Sequence, residues 1–375
     1  MPEPFPPELC DLLALRLVDG LGPARIAALI ERFGSAAGAR TATAAQLRDT
    51  PGFGGPLAEK VAAQLASVDP AAEAERLTRA GVEALALGHG GYPDALVHIP
   101  AAPRLLFLKG TLLAEDARAV ALVGTRHPDP YGKRVARSLG EGLARAGVTV
   151  VSGLARGIDG ISHQAALDAG GRTLAVLAGG LSRIYPPEHA GLADRVADAG
   201  ALVTEATMLE GPTKGHFPAR NRIISGLSRV VVIVQAPTDS GALITAEHAA
   251  EQGRTVLAVP GLVGEAHNAG CHRLLREGAV LCRGVDDVLE ELDGASAVAV
   301  RQKKNAAPPP QSGPPPGLDD TQRRVWDFLG DGPRGGDEIA RHAGLAVAQL
   351  SNVLMMLEIK KAVRRLPGNR YERGG

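Results

Sequence analysis

The stretch Ala119-Val120-Ala121-Leu122-Val123-Gly124-Thr125-Arg126 decides how the chain is read: five apolar residues without alternation give way to a glycine, a hydroxyl and a cation. A strand with no polar face must be covered on both sides, as strands inside a parallel sheet are. The texture repeats outward. Val148 to Val151, Thr173 to Leu177, Ala201 to Thr204, Val230 to Val234 and Thr255 to Val259 are further apolar runs of strand length. Between the first two runs, Val135, Leu139, Leu143 and Ala146 fall on one helical face. Strand and helix in alternation predict an α/β architecture, an extended Rossmann-like core with a doubly wound parallel sheet.

The flanks read differently. Residues 1–70 predict a helical domain in which Leu21-Gly22-Pro23 and Gly52-Phe53-Gly54 each set a tight turn before an amphipathic helix. The pair is similar to the helix-hairpin-helix modules of sterile-alpha-motif-like (SAM-like) domains, where glycine lets backbone amides approach a phosphate. Six basic residues against eight acidic ones leave a purely packing role open for this segment. The Rossmann-like core is expected over 71–293. Residues 294–317, with Pro308-Pro309-Pro310 and Pro314-Pro315-Pro316, predict a linker. In 318–375, helical stretches at Thr321–Leu329, Gly336–Ala343 and Ala346–Ile359 precede Ala362–Leu366, a Pro367-Gly368-Asn369 turn and Arg370–Arg373. Three helices and a terminal hairpin predict a winged helix.

Acidic and basic residues balance at 41 each, so affinity for an anion must come from local clustering. One such cluster closes the chain: Lys360, Lys361, Arg364, Arg365, Arg370 and Arg373 face only Glu358 and Glu372 in the last twenty residues. Cys10, Cys271 and Cys282 are odd in number and lack CxxC spacing, which points to thiols in a reducing compartment, not to disulfides or zinc. Met1 to Pro7 shows no secretory pattern, and no apolar run approaches ~18 residues. The expectation is a cytoplasmic protein without metal, cofactor or membrane span.

In an open parallel sheet, ligands bind beyond the carboxyl ends of the strands, where loops lead into helices. Three loops there combine glycine, hydroxyl and open amides: Gly124-Thr125-Arg126, Ser152-Gly153-Leu154-Ala155-Arg156-Gly157, and Ser240-Gly241-Ala242. A fourth segment, Lys214-Gly215-His216-Phe217-Pro218-Ala219-Arg220-Asn221-Arg222, sets an aromatic beside cations. That combination suits a nucleic-acid strand, with a base stacked on the ring and phosphates held by arginine and lysine. A ring that pins the loop, and ion pairs from Arg220 and Arg222 to carboxylates such as Glu205, are the structural alternatives.

With these residues in order, the chain resembles the DprA/Smf family. The strings GTR…YG, VVSGLARGID…H, AVLAGGL…YP, FPARNRIISGLS, SGALITA and AVPG carry the resemblance over roughly residues 90 to 290. It implies a protein of natural transformation that binds and protects incoming single-stranded DNA and loads RecA onto it. It also implies a homodimer formed through the core. The family's glycine–Ser/Thr–arginine motif falls on Gly124, Thr125 and Arg126, and its other DNA contacts on Arg156, Lys214, Phe217 and Arg220 through Arg222. One departure is visible: the usual GTNxLI pattern stands here as Gly270-Cys271-His272-Arg273-Leu274-Leu275.

The leading expectation is therefore a binding protein without turnover, sequence-tolerant and salt-sensitive. The winged helix adds duplex DNA as a second ligand through Lys360, Lys361, Arg364, Arg365 and Arg370. A partner or dimer module with a solvated basic face is the alternative there. The rival from another class is a nucleotide phosphoribohydrolase-like Rossmann enzyme, whose PGGxGTxxE segment would align with Ala236 to Glu247. The double glycine is missing. Neither GxGxxG after the first strand nor GxxxxGK[ST] occurs, which argues against a dinucleotide oxidoreductase and an ATPase. Asp159, His163 and Glu205 are the residues from which an acid–base set could be drawn.

Overall fold

The computed structural model describes residues 5–294, 317–366 and 369–373. Most of the linker expected at 294–317, and Pro367-Gly368 of the expected turn, lie outside the described residues. The chain divides into two units, 1–298 and 299–375.

In the first unit six helices come first: α1 (Pro7–Leu17), α2 (Pro23–Phe33), α3 (Ala36–Arg40), α4 (Ala44–Arg48), α5 (Gly55–Ser67) and α6 (Ala71–Arg79). A hairpin-like insertion follows, with β1 (Glu83–Ala86), α7 (Asp94–Val97) and β2 (Leu105–Gly110). The alternating region then runs β3 (Ala119–Val123), α8 (Pro130–Arg145), β4 (Thr149–Ser152), α9 (Ile158–Asp168), β5 (Thr173–Val176), α10 (Ala190–Ala199) and β6 (Ala201–Thr204). It continues through α11 (His216–Gly226), β7 (Val230–Ile233), α12 (Ala242–Glu251), β8 (Thr255–Ala258), α13 (Ala269–Arg276), β9 (Val280–Leu281) and α14 (Val285–Asp293).

The nine strands form one sheet in the order β1-β2-β6-β5-β4-β3-β7-β8-β9. Strands β6 through β9 in that order are parallel; β2 joins β6 antiparallel, and β1 joins β2 antiparallel. The unalternating β3 has both faces buried, as its sequence demands. Val120 and Leu122 pack with Leu139 and Leu143 of α8 and Val288 and Leu292 of α14. Ala121 and Val123 face Ile223 of α11, Leu243 of α12 and Leu274 of α13.

The N-terminal helices keep a core of their own around Leu15, Leu29, Leu47, Phe53 and Val61. They are not isolated from the sheet, because Leu9 and Leu13 of α1 pack with Phe107, Leu202 and Val196. The two expected tight turns are present, with Gly20 and Gly52 each at φ +86°, a conformation that favours glycine. Arg25 cross-braces them by donating to the carbonyls of Gly20 and Gly52.

The second unit holds α15 (Asp320–Phe328), β10 (Arg334–Gly335), α16 (Gly336–Ala343), α17 (Val347–Ile359), β11 (Val363–Leu366) and β12 (Arg370–Arg373). Asp319 caps α15 by accepting from the Gln322 amide at 2.7 Å, while the Gln322 side chain reaches back to the Asp319 amide. The hairpin and β10 make a three-stranded sheet around Val325, Ile339, Leu354, Leu357 and Tyr371, a winged helix. Among the described residues no single helix is long and apolar enough to cross a membrane.

Candidate nucleic-acid interface

Strands β3 and β7 are neighbours, yet the chain leaves them in opposite directions. After β3 it builds β4, β5 and β6 on one side; after β7 it builds β8 and β9 on the other. Loops that diverge from adjacent strand ends leave a crevice between them. Here it is a cleft of about 410 Å³, lined by Gly124, Thr125 and Arg126 after β3, by Phe217, Arg220 and Asn221 of α11, and by Ser240 and Gly241 before α12.

The loop after β3 is fixed on both sides. The Thr125 amide donates to the Gln235 carbonyl at 2.8 Å, and the Thr125 carbonyl accepts from the Ile158 amide at 3.2 Å. Gly124 is obligatory for this approach, since a Cβ there would stand 2.6 Å from Ile158 Cγ1 and 2.8 Å from the Gln235 carbonyl. Arg126 projects from this pinned loop, exposed, with its guanidinium carbon 4.9 Å from the centroid of the Phe217 ring. Among the described residues no carboxylate pairs with it. The ring of Phe217, half-buried, is a platform and a neighbour of positive charge at once.

The arginines of α11 behave otherwise. Arg220 is buried and donates to the carbonyls of Gly153 and Val176 at the ends of β4 and β5, and to Asn221 Oδ1. Its guanidinium lies 3.9 Å from Asp159. Burial lowers Arg220 to about 10, which leaves it charged at neutral pH, and burial pushes the Asp159 carboxyl above its ordinary value against the pull of Arg220. Arg222 is equally buried and holds both carboxylate oxygens of Glu205 at 2.7–2.8 Å. Of the two α11 arginines expected to touch DNA, Arg222 does not line the cleft and Arg220 forms part of its floor. Asn221 donates to the Gly241 carbonyl at 3.2 Å, tying α11 to the loop that opens α12.

Lys214 stands exposed in the turn before α11, outside the cleft lining. Arg156 is exposed on the loop after β4, paired with Glu188 at 2.5 Å and 5.8 Å from the centroid of Tyr185. Tyr185 meets Phe217 edge-on, with centroids 5.8 Å apart. Sequence reasoning missed Tyr185, although it lies inside the YP string and aromatics are only 3% of the chain. The departed turn at Gly270 also abuts this end of the sheet: a Cβ there would come 2.6–2.7 Å from the carbonyls of Ala236 and Pro237. Cys271 is buried, and His272 faces the Gly261 carbonyl at 3.1 Å.

Asp159, His163 and Glu205 each have a structural partner. Asp159 accepts from the Gly153 amide, His163 is fully buried against Thr173 at 2.7 Å, and Glu205 is engaged by Arg222. In the winged helix, Lys361, Arg364, Arg365 and Arg373 surround a concavity with Glu358 and Glu372.

A Rossmann-like sheet with a cationic and aromatic cleft at its switch point, carried in one chain with a winged helix, defines a class of two-unit α/β protein. The chain belongs to the DprA/Smf family: residues 83–293 match the family of DNA recombination-mediator protein A, and residues 307–369 match the DprA winged helix domain. It is 33% identical to protein Smf of Synechocystis, over 96% of this chain and 98% of that one. It is 45% identical to the DNA processing protein DprA of Bacillus subtilis, over 56% of this chain and 72% of that one. The crystal structure of DNA processing protein A from Streptococcus pneumoniae superposes with a TM-score of 0.66 at 34% identity, over 75% of this chain and 96% of that one. The Helicobacter pylori protein, whose structure is described for its single-stranded DNA binding mode, superposes at 0.50 with 28% identity, over 60% of this chain and 96% of that one.

Proposed function

We propose that the protein binds single-stranded DNA in the cleft between the loops after β3 and β7, and that it does so without turnover. The observation behind this reading is Arg126: an exposed cation with no described carboxylate partner, stacked on Phe217 and carried by a loop pinned at Thr125. Arg126, the amides at Gly124 and Thr125, and the α12 N-terminus at Ser240 and Gly241 take phosphates, while Phe217 stacks a base. Arg156 and Lys214 extend the track at its margins. Arg220, Asn221 and Arg222 shape the floor and hold α11 in place. Asp159, His163 and Glu205 each serve a separate structural partner, which leaves a phosphoribohydrolase-like enzyme without an assembled acid–base set.

Membership of the family supports the biological part of the reading. The protein works in the cytoplasm on DNA taken up in natural transformation, protects the strand, and loads RecA onto it. A homodimer formed through the core joins two clefts into one longer track. Duplex DNA is the second ligand, met by the exposed Lys361, Arg364 and Arg365 of the winged helix.

Fluorescence anisotropy with labelled oligothymidine over a salt series tests the cleft. The parent protein binds with a log–log salt slope near −0.7 for each phosphate neutralised. The Arg126→Ala, Phe217→Ala double variant loses at least ~2 kcal/mol of binding, the scale of one stacked base plus a phosphate contact. Equal binding by the two proteins would falsify the reading.

A further inference from the structure

The row of rings and cations continues past Phe217. Tyr185 packs edge-on against it at an interplanar angle of 69° and is 41% exposed. Arg156 in turn has its guanidinium carbon 5.8 Å from the centroid of the Tyr185 ring. The contacts therefore run from Arg126 to Phe217, from Phe217 to Tyr185 and from Tyr185 to Arg156, two rings linked to two cations. A single strand offers the matching sequence of stacked bases flanked by phosphates.

Arg156 differs from Arg126 in one respect. Its Nε donates to Glu188 Oε1, and both side chains of that pair are about half exposed. The contact raises Arg156 above its ordinary value and holds the Glu188 carboxyl below the usual range. An exposed ion pair of this kind adds little to stability and is readily exchanged for another oxyanion. Phosphate is such an anion, and guanidinium binds it through the same fork of donors.

We propose that Tyr185 is a second base-stacking platform, and that Glu188 holds the place of a DNA phosphate on Arg156 until the strand displaces it. The inference rests on the cleft reading and lengthens its track toward the loop after β5. It makes an unusual demand: removing an acidic residue that touches one arginine must improve DNA binding, and only while that arginine is present.

The experiment uses the full chain and oligothymidine carrying 5-iododeoxyuridine. Irradiation is expected to crosslink the base to Tyr185 as well as Phe217, read by peptide mapping. Glu188→Gln tightens binding about three-fold, the scale of one exposed ion-pair competitor, and steepens the salt slope by about 0.7. The gain disappears in Glu188→Gln combined with Arg156→Gln. Tyr185→Phe binds as the parent does, whereas Tyr185→Ala loses at least about five-fold. Absence of a Tyr185 crosslink, or a Glu188→Gln protein that binds no tighter than its parent, overturns the inference. Arg126→Ala separates the two levels. If it weakens binding while the Tyr185 and Glu188 variants behave as the parent, this inference alone fails; if it too binds normally, the cleft reading has failed with it.

Discussion

The cleft of the core and the hairpin of the winged helix are both places where cations gather, and by count the hairpin is the richer. Its six basic residues face two acidic ones. Their surroundings reverse the ranking. Lys360 is spent on the Gly317 carbonyl and Gln322, Arg364 pairs with Glu372, Arg370 donates to the Pro333 carbonyl, and Arg373 covers Trp326 at 3.5 Å. Of the six, only Lys361 and Arg365 have exposed side chains without a hydrogen bond or ion pair among the described residues, and Arg365 leans over Tyr371 at 5.9 Å. In the cleft a single uncommitted arginine sits on a ring, on a loop that two backbone hydrogen bonds hold still. What prepares a surface for phosphate is a cation without internal employment on a rigid support, and charge density alone does not supply it.

The same contrast recurs inside the core, where it has its largest expected effect. Arg222 and Arg126 are the same residue type on adjacent elements, one buried against Glu205 and one exposed over Phe217. Arg222→Met strands the Glu205 carboxylate and is expected to cost about 3–5 kcal/mol of stability in urea denaturation. Arg126→Ala with Phe217→Ala should stay within about 1 kcal/mol of the parent in that assay, while losing the ~2 kcal/mol of DNA binding described above. A native-stable Arg222→Met protein that fails to bind DNA would erase the distinction between floor and track.

The sheet was legible because β3, β4, β5, β6 and β7 are buried throughout, and β8 over its second half, and burial on both faces writes an unalternating apolar run. β1 was not legible. Glu83-Ala84-Leu85-Ala86 is made of strong helix formers, and only its pairing with β2 makes it a strand. β9 and β10, two residues each, are too short to leave a period. The site was half legible for a related reason. Residue type and loop position marked Gly124, Thr125, Arg126, Phe217, Ser240 and Gly241, which the fold does bring to one cleft. Whether an arginine is free or employed depends on partners distant in sequence, such as Gly153 and Val176 for Arg220. Tyr185 escaped notice because it sits in an irregular loop, where no periodicity directs a side chain.

Acid should separate the two units. His163 of α9 is fully buried, and desolvation, with the nearby charge of Arg220 adding to it, lowers it from 6.5 to about 3. Between those values the unfolded chain binds a proton that the fold refuses. Stability from this group is therefore complete above about pH 6.5 and is lost as pH falls toward 3, at up to about 1.4 kcal/mol per pH unit. Among the described residues the winged helix buries no histidine. Trp326, the single tryptophan, reports on that unit alone. On acidification, denaturation midpoints followed by far-UV circular dichroism should fall before those followed by Trp326 fluorescence. His163→Asn, which keeps a partner for Thr173, should narrow the gap. Coincident midpoints at every pH would show that the units do not unfold independently.

The smallest effect expected is the one that charge counting would rank first. Arg364→Ala with Arg365→Ala removes two exposed cations from the hairpin, yet one is already neutralised by Glu372. The neighbouring helix α17 gives the pair no support for base recognition. It carries no lysine or arginine, and its exposed side chains include Val347, Met355, Met356 and Ile359. A helix placed to read a major groove needs donors and acceptors at base edges, which this face lacks apart from residues such as Ser351 and Asn352. Any duplex contact at the hairpin is then electrostatic, indifferent to sequence and weakened by salt. Oligothymidine binding by this variant should stay within about 0.5 kcal/mol of the parent, as surface substitutions outside a site do, with any loss confined to duplex DNA at low salt. A loss as large as that of the cleft variant would place single-strand affinity in the wing, and would make the uncommitted arginine over Phe217 a feature of packing.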